Sequence, residues 1–211
     1  MEKIKLVCFD LDDTLTRDIH SVMFLCMLNG NYEQLLEIEK REMNDEFNWI
    51  EADYHKAALL KGLDESEISK KFDDILKPLK NISSVVNALH QNEIQSILIT
   101  AGPTQVAKAA KEKWGFDDYY GSNYETENGI FTGKILEHLG DAGKVACLKN
   151  YCAKHNIHSS ECIAVGDGAS DIPLFEYCRA SIAINYSPSV KGKATNYLQT
   201  DDLFDIMRYI V

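Results

Sequence analysis

The stretch at residues 5–15, KLVCFDLDDTL, carries the strongest fold signal in the chain. It is apolar after Lys5 and ends abruptly at Asp10, which predicts a buried strand of a parallel sheet. Asp10 and Asp12 lie two residues apart, so their carboxylates point to the same side of an extended chain. Two carboxylates about 4 Å apart repel each other by roughly 4 kcal/mol at an effective dielectric constant of about 20. We expect a cation or a shared proton here, unless the two aspartates are solvated in a turn or cap the next helix.

Further strands and helices alternate along the rest of the chain. Apolar runs that read as strands lie at residues 93–100, 161–165 and 180–184. Helical apolar spacing is found at residues 83–91, 104–114 and 144–154. This alternation predicts an α/β fold with a doubly wound parallel sheet. Ligands bind outside the carboxyl ends of the strands in such sheets, which points to Asp10, Thr100 and Asp167.

The segment between the first strand and residue 82 breaks this alternation. Residues 16–81 show the apolar spacing of four helices and no convincing strand. We expect an α/β core domain of residues 1–15 and 82–211, with residues 16–81 inserted as a helical cap domain. Both ends of the insert return near the first strand, so the cap could lie over the strand ends.

Two local patterns extend these predictions. The Glu-Asn-Gly sequence at residues 127–129 predicts the turn of a β-hairpin within residues 119–135. In the insert, the apolar spacing predicts that the buried side of the first helix is lined by Met23, Phe24, Met27 and Leu28.

Polar side chains after the later strands could complete a site. Asp167 lies in a Gly-Asp-Gly turn and, with Asp10, would offer the oxygen ligands that magnesium prefers. Asp171 fits the same site, or an N-cap before a helix with Pro173 in its first turn. Thr100 and the following helix start could hold phosphate oxygens, although an ordinary helix N-cap is the simpler explanation of Thr100 alone.

Composition limits the classes of partner. The net charge of −11 repels phosphate backbones and argues against nucleic acid. The same charge repels a small anionic substrate, so a phosphate site would need local positive charge from a metal ion or a lysine. The six cysteines include no CxxC pair, which predicts reduced thiols in a cytoplasmic protein. The N-terminal apolar run is too short to span a bilayer, so no membrane partner is expected.

In this order, a DxDxT motif at residues 10–14, Thr100, Lys144 and a GDGxxD motif at residues 166–171 resemble the haloacid dehalogenase (HAD) superfamily. The helical insert after the first motif is similar to one cap type of that superfamily. The hairpin sequence at residues 128–133 resembles the phosphoserine phosphatase-like group. The resemblance implies a Rossmann-like HAD core with an inserted helical cap.

The resemblance also implies catalytic roles. Asp10 would be the nucleophile that forms an aspartyl-phosphate. Asp12 would protonate the leaving alkoxide and then deprotonate the attacking water. Lys144, which alone would pass for a solvated surface lysine, would neutralise Asp10 and the phosphate. A second carboxylate at Asp12 favours phosphoryl chemistry over halide displacement, which needs no acid there.

The implied binding residues follow the same motifs. Thr100, the amide of Ala101 and Lys144 would hold the phosphate. Mg2+ would be the cofactor, held by Asp10, Asp167 and the backbone carbonyl of Asp12, and supported by Asp171. The implied partner is a small-molecule phosphate ester, acted on by a monomer or homodimer.

The expected function is therefore that of a magnesium-dependent phosphatase, a phosphoric monoester hydrolase. A phosphomutase or phosphotransferase would use the same intermediate, and a binding protein on this fold would lack turnover. The chain has Ile19 where the phosphoserine phosphatases have a glutamate, and Tyr54-His55-Lys56 where they have an arginine. It also has Ser170 where an asparagine is usual. His20 and His55 are candidates for substrate contact or ordinary cap histidines.

Overall fold

The structure is a computed structural model that describes residues 3–211, apart from the side chain of Asp141. Its main sheet has seven strands. In spatial order they are Ile130–Glu137 (β6), Asp118–Glu127 (β5), Gln95–Pro103 (β4), Leu6–Phe9 (β1), Cys162–Gly166 (β7), Ala180–Ile184 (β8) and Asn196–Leu198 (β9). All neighbouring pairs are parallel except the antiparallel pair β5 and β6.

Within residues 3–211, eight α-helices surround this sheet or extend beyond it. Four belong to the insert: Ser21–Leu28 (α1), Tyr32–Met43 (α2), Trp49–Ala58 (α3) and Ser66–Ile75 (α4). Four follow it: Ile82–Gln91 (α5), Thr104–Trp114 (α6), Gly140–His155 (α7) and Ile172–Tyr177 (α8). Short 3-10 helices span Ser159–Glu161, Ala169–Asp171, Pro188–Val190 and Leu203–Tyr209. The predicted doubly wound α/β fold is confirmed.

Strand β1 is buried on both faces, which explains its continuous apolar sequence. Val7 and Phe9 pack into a core that includes side chains of α5 and α6, whereas Leu6 and Cys8 pack into a second core with α7 and α8. All four side chains are fully buried. Two helical layers therefore cover the sheet, and its functional groups emerge at the carboxyl edge.

The insert leaves and rejoins the core through a small two-stranded sheet. Thr16–Arg17 (β2) pairs antiparallel with Lys77–Pro78 (β3), and helices α1 to α4 lie between them. The exact domain boundaries at residues 16 and 81 stay a prediction. Among residues 3–211, no helix combines the length and apolarity that crossing a bilayer requires.

The predicted buried side of α1 is wrong in part. Phe24 is buried, but Val22, Leu25 and Cys26 are buried as well, and Met27 is 38% exposed. Helix α1 contacts α2 and α4 on the cap side and β4 of the core. Because neighbours cover it from more than one direction, a single apolar stripe does not describe its buried surface.

The hairpin of β5 and β6 turns at Asn128-Gly129, as predicted, and both turn residues have positive φ values of 53° and 80°. The hairpin also binds the cap, a contact absent from the sequence predictions. The amide of Gly62 donates to Phe131 O, the amide of Phe131 donates to Leu63 O, and the amide of Glu65 donates to Gly129 O. The insert is therefore held at a second place besides its stem.

Candidate active site

Asp10 lies at the carboxyl end of β1 and is 5% exposed. Its amide donates to Val165 O of the neighbouring strand β7, so the chain after β7 brings Asp167 to the same edge. Thr14 Oγ1 lies 2.8 Å from Asp167 Oδ1 and 3.4 Å from Asp10 Oδ2. The threonine of the DxDxT motif therefore bridges the two acidic segments.

Three carboxylates meet at this point. One oxygen each of Asp10, Asp167 and Asp171 lies within 4.8 Å of the others. Burial, followed by the charge of Asp171, raises the pKa of Asp167 to about 7. Burial also raises the pKa of Asp10, against the opposing effect of Lys144. These three carboxylates carry more negative charge than the ammonium of Lys144 neutralises. Their hard oxygen atoms suit a divalent cation such as Mg2+.

Lys144 supplies the positive charge of the site. Its side chain is 1% exposed on α7, and its Nζ lies 2.7 Å from Asp10 Oδ1 and 2.8 Å from Asp171 Oδ1. Burial lowers the pKa of Lys144, but Asp10 and Asp171 outweigh that effect and raise it overall. The lysine is therefore a buried cation between two acids and not a solvated surface residue.

Asp171 connects this lysine to the turn after β7. Its Oδ1 accepts from Lys144, and its Oδ2 accepts from the amides of Asp167 and Gly168 at 3.0 and 3.1 Å. It precedes α8 but makes no side-chain capping bond to it. A Cβ at Gly166 would collide with the Asp171 carboxyl group. Asp171 therefore holds Lys144 and the turn around Asp167 in place. The first glycine of the motif, Gly166, leaves room for the Asp171 carboxyl group.

Asp12 is held by the first helix of the cap. Its Oδ1 accepts from both the amide and the hydroxyl of Ser21, each at 2.7 Å. Burial raises the pKa of Asp12, while His20 and the Ser21 bonds oppose this. Sequence reasoning missed Ser21, because a hydroxyl residue at a helix start carries no signal of a partner nine residues earlier.

Residues 100–103, at the carboxyl end of β4, form a polar segment beside Asp12 that we call the phosphate-binding floor. Strand β4 continues to Pro103, and its register with β5 shifts between Ile99 and Pro103. A bulge of this kind turns side chains and amides out of the ladder. Thr100 Oγ1 accepts from the amide of Gly102 at 3.0 Å, and Pro103 rather than Thr100 occupies the N-cap position of α6.

Two neighbours fix this segment against the site. Ser122 donates through its hydroxyl to Ala101 O at 2.6 Å. A Cβ at Gly102 would lie 2.9 Å from Asp12 Oδ2 and 3.3 Å from Thr100 Oγ1. The glycine therefore keeps open the space that the Asp12 carboxyl group and the Thr100 hydroxyl share. With the start of α6 alongside, the floor can bind an anion such as phosphate.

Of the two candidate histidines, His20 is hydrogen-bonded at both ring nitrogens and His55 is exposed. The Nε2 atom of His20 lies 2.8 Å from Glu39 Oε1, and its Nδ1 accepts from the amide of Met23 at 3.2 Å. Both ring nitrogens are thus in use, with Nδ1 unprotonated in this arrangement. His55 is exposed and lies with its ring 5.0 Å from that of Phe47. Neither histidine presents a free polar atom to the site in this arrangement.

Known proteins resemble this chain along its length. Residues 7–176 match the sequence profile of the haloacid dehalogenase-like hydrolases. The phosphoserine phosphatase of Streptomyces coelicolor is 28% identical over 192 residues, and the chain spans 46% of its length. This alignment covers 90% of the chain. The phosphoserine phosphatase of Streptococcus thermophilus is 28% identical over 212 residues, covering 100% of the chain and 98% of the relative.

A solved structure described as a phospho-aspartyl intermediate analogue of phosphoserine phosphatase has a TM-score of 0.84 against this chain. The two are 26% identical, and the superposition covers 100% of each. The similarity therefore includes the inserted helices as well as the sheet.

Proposed function

Because the chain belongs to the haloacid dehalogenase-like hydrolases, we propose that it is a phosphatase of small phosphate monoesters. Catalysis proceeds through a covalent intermediate on Asp10. The observation that carries this proposal is the position of the Asp10 carboxylate, 2.7 Å from Lys144 Nζ and beside two further acids. A buried nucleophile surrounded by charge-neutralising groups is what phosphoryl transfer requires, since positioning and electrostatics supply most of its catalysis.

In the first step, Asp10 attacks phosphorus and the bond from phosphorus to the alkoxide oxygen breaks. Asp12 gives its proton to that oxygen, and the free alcohol leaves. The raised pKa of Asp12 favours the protonated acid that this step needs. Thr100 and the amide of Ala101 hold the non-bridging phosphate oxygens, and Lys144 balances the charge that gathers on them.

In the second step, Asp12 takes a proton from water, and the resulting hydroxide attacks phosphorus. The bond between phosphorus and Asp10 breaks, which releases inorganic phosphate and restores both carboxyl groups. Ser21 holds Asp12 in one orientation through both steps. Transfer to an alcohol instead of water would be phosphotransferase chemistry with the same residues.

Asp10, Asp167 and the backbone carbonyl of Asp12 would hold Mg2+. When bound, the ion would add positive charge for the phosphate and for the crowded carboxylates. Asp171 would support the site by fixing Lys144 and the turn around Asp167, because both of its oxygens already accept hydrogen bonds in the protein.

The proposal is tested by measuring inorganic phosphate release from p-nitrophenyl phosphate and a panel of alkyl phosphates with magnesium present. We expect release by the wild type and none by Asp10→Asn, since an amide cannot form the covalent intermediate. Asp18→Asn is the matched control, because Asp18 is exposed in the cap stem and pairs with the exposed Lys77. EDTA should stop turnover, and added Mg2+ should restore it.

Two results would reject the proposal. Phosphate release by Asp10→Asn at the wild-type rate would remove Asp10 as the nucleophile. Transfer to an added alcohol without release of inorganic phosphate would replace hydrolysis by phosphotransfer.

A further inference from the structure

Tyr124 has a buried hydroxyl that the protein leaves unpaired. The residue is 2% exposed, and its oxygen has no hydrogen-bond partner among residues 3–211. It lies on β5 two residues after Ser122, so both side chains point to the same face. Ser122 donates to Ala101 O of the phosphate-binding floor, so Tyr124 lies two residues along β5 from a residue that contacts this floor.

The groups around Tyr124 come from the site and the cap. Burial raises the pKa of Tyr124, and Asp53, Asp12, Cys26 and Tyr54 raise it further. Ser122, two residues earlier on β5, accepts from the amide of Leu139, and the neighbouring His138 Nε2 lies 2.9 Å from Asp53 Oδ2 of α3. The hairpin that carries Tyr124 therefore packs against α3 of the cap. A buried hydroxyl without a partner destabilises the folded state, so this position favours a ligand that supplies one.

The cap adds a buried group of charges around Lys56. Among the lysines and arginines of residues 16–81, Lys56 alone is buried, at 7% exposure. Its Nζ lies 2.8 Å from Glu42 Oε2 and 3.6 Å from Asp53 Oδ1. The ammonium is already neutralised by two carboxylates, so it is not free to bind an anionic group.

Two histidines, His138 and His20, bond to acids of this group, and its net charge stays negative. His138 Nε2 lies 2.9 Å from Asp53 Oδ2, and its Nδ1 accepts from the amide of Gly140, which leaves the ring neutral. Glu39 joins the group through His20, whose Nε2 lies 2.8 Å from Glu39 Oε1 and whose chain neighbour Ser21 donates to Asp12. The group therefore contains three carboxylates, of Glu39, Glu42 and Asp53, and one ammonium, of Lys56. Its net charge would stay negative even if His20 were protonated.

We propose that Tyr124 and the acidic group of Glu39, Glu42 and Asp53 form the leaving-group pocket. This pocket selects phosphate esters of amino alcohols that carry no carboxylate. The inference rests on the proposed phosphatase function and specifies its substrate class. An ammonium group donates to the Tyr124 oxygen and is attracted by the excess negative charge, whereas a carboxylate would be repelled and would have to displace Glu42 or Asp53 from Lys56.

Three esters of similar size separate these effects. O-phosphoethanolamine carries the ammonium group, propyl phosphate replaces it with a methyl group, and O-phosphoserine adds a carboxylate. We expect kcat/KM to be highest for O-phosphoethanolamine, by about tenfold or more over each of the others. Propyl phosphate offers no ammonium group to the acids, and the carboxylate of O-phosphoserine is repelled by them. Equal or higher kcat/KM for O-phosphoserine would overturn the inference.

Tyr124→Phe removes only the hydroxyl. We expect it to raise KM for O-phosphoethanolamine about tenfold, the effect of one hydrogen bond to a charged group. The melting temperature should stay the same or rise, because an unpaired buried oxygen is lost. Tyr120→Phe is the control on the same strand, since the Tyr120 hydroxyl donates to Asp118.

The possible outcomes distinguish failure of the proposed pocket from failure of the proposed phosphatase activity. No phosphate release from any ester, including p-nitrophenyl phosphate, would reject the phosphatase itself. Turnover of p-nitrophenyl phosphate with equal kcat/KM for the three alkyl esters would reject only the proposed pocket. An unchanged KM in Tyr124→Phe, or a lower melting temperature, would remove Tyr124 from the pocket and assign its hydroxyl a structural role.

Discussion

Replacing Lys144 by methionine tests whether one buried cation holds the acidic site together. Methionine keeps the unbranched shape but leaves the cluster of Asp10, Asp167 and Asp171 without the ammonium that lies 2.7 and 2.8 Å from two of its members. Removing one partner of a buried ion pair costs about 3–5 kcal/mol of unfolding free energy. That loss is a large share of the roughly 5–15 kcal/mol that stabilises a typical domain.

The assay is urea denaturation in EDTA, followed by circular dichroism, with the same series in saturating Mg2+. We expect the metal to restore part of the lost stability, about 2.7 kcal/mol at a concentration one hundred times its Kd, because it binds the folded cluster. Lys149→Met, an exposed position on the same helix, should change the unfolding free energy by less than about 1 kcal/mol.

A double-variant experiment isolates the pair of Lys144 with Asp171. Adding Asp171→Asn to Lys144→Met removes a carboxylate that has lost its partner, so the combined loss should be smaller than the sum of the two single losses. If Lys144→Met unfolds within about 1 kcal/mol of the wild type, or if the two losses add, the buried charge balance is not what stabilises the site.

Three more predictions concern the residues around Asp12 and the metal site. Gly102→Ala should lower kcat/KM more than about tenfold with little change in melting temperature, because the new Cβ would lie 2.9 Å from Asp12 Oδ2, a flexible side-chain end that can shift. Wild-type kcat/KM, or a large fall in melting temperature, would contradict this. Ser21→Ala should lower kcat/KM for propyl phosphate but hardly for p-nitrophenyl phosphate, because kcat/KM reports the steps through loss of the alcohol and the phenolate leaves without a proton. The kcat for both esters should fall, since Asp12 also activates water in the shared second step, while Ser21→Thr should retain activity on both; equal losses of kcat/KM on the two esters would show that Ser21 does not orient the acid. In EDTA, the folded protein keeps a proton on Asp167 up to a pKa of about 7, against an ordinary value of 3.8. Stability from this group is therefore complete below about pH 4 and is lost as the pH rises to about 7, which melting temperatures across that range will show; a flat profile would contradict it.

The local sequence was sufficient to predict much of the core. Strand β1 could be recognised because a strand that is buried on both faces must be apolar at every position, and its end at Asp10 marks the edge of the sheet. The Asn128-Gly129 turn was predictable because few residue pairs adopt two positive φ values easily. Strand β9 has no such signal, since it is a three-residue edge strand with two partly exposed positions.

Some features of the candidate site were likewise predictable from the sequence, and others were not. The apolar runs were enough to predict that Asp10 and Asp167 follow buried strands and so meet at one edge of a parallel sheet. Three features required the packed structure: Lys144 is buried between two acids, Ser21 holds Asp12, and the Tyr124 hydroxyl has no partner among the described residues. The reason is physical: periodicity reports which side of its own element a residue occupies, whereas the partner of a polar side chain depends on how distant elements pack together.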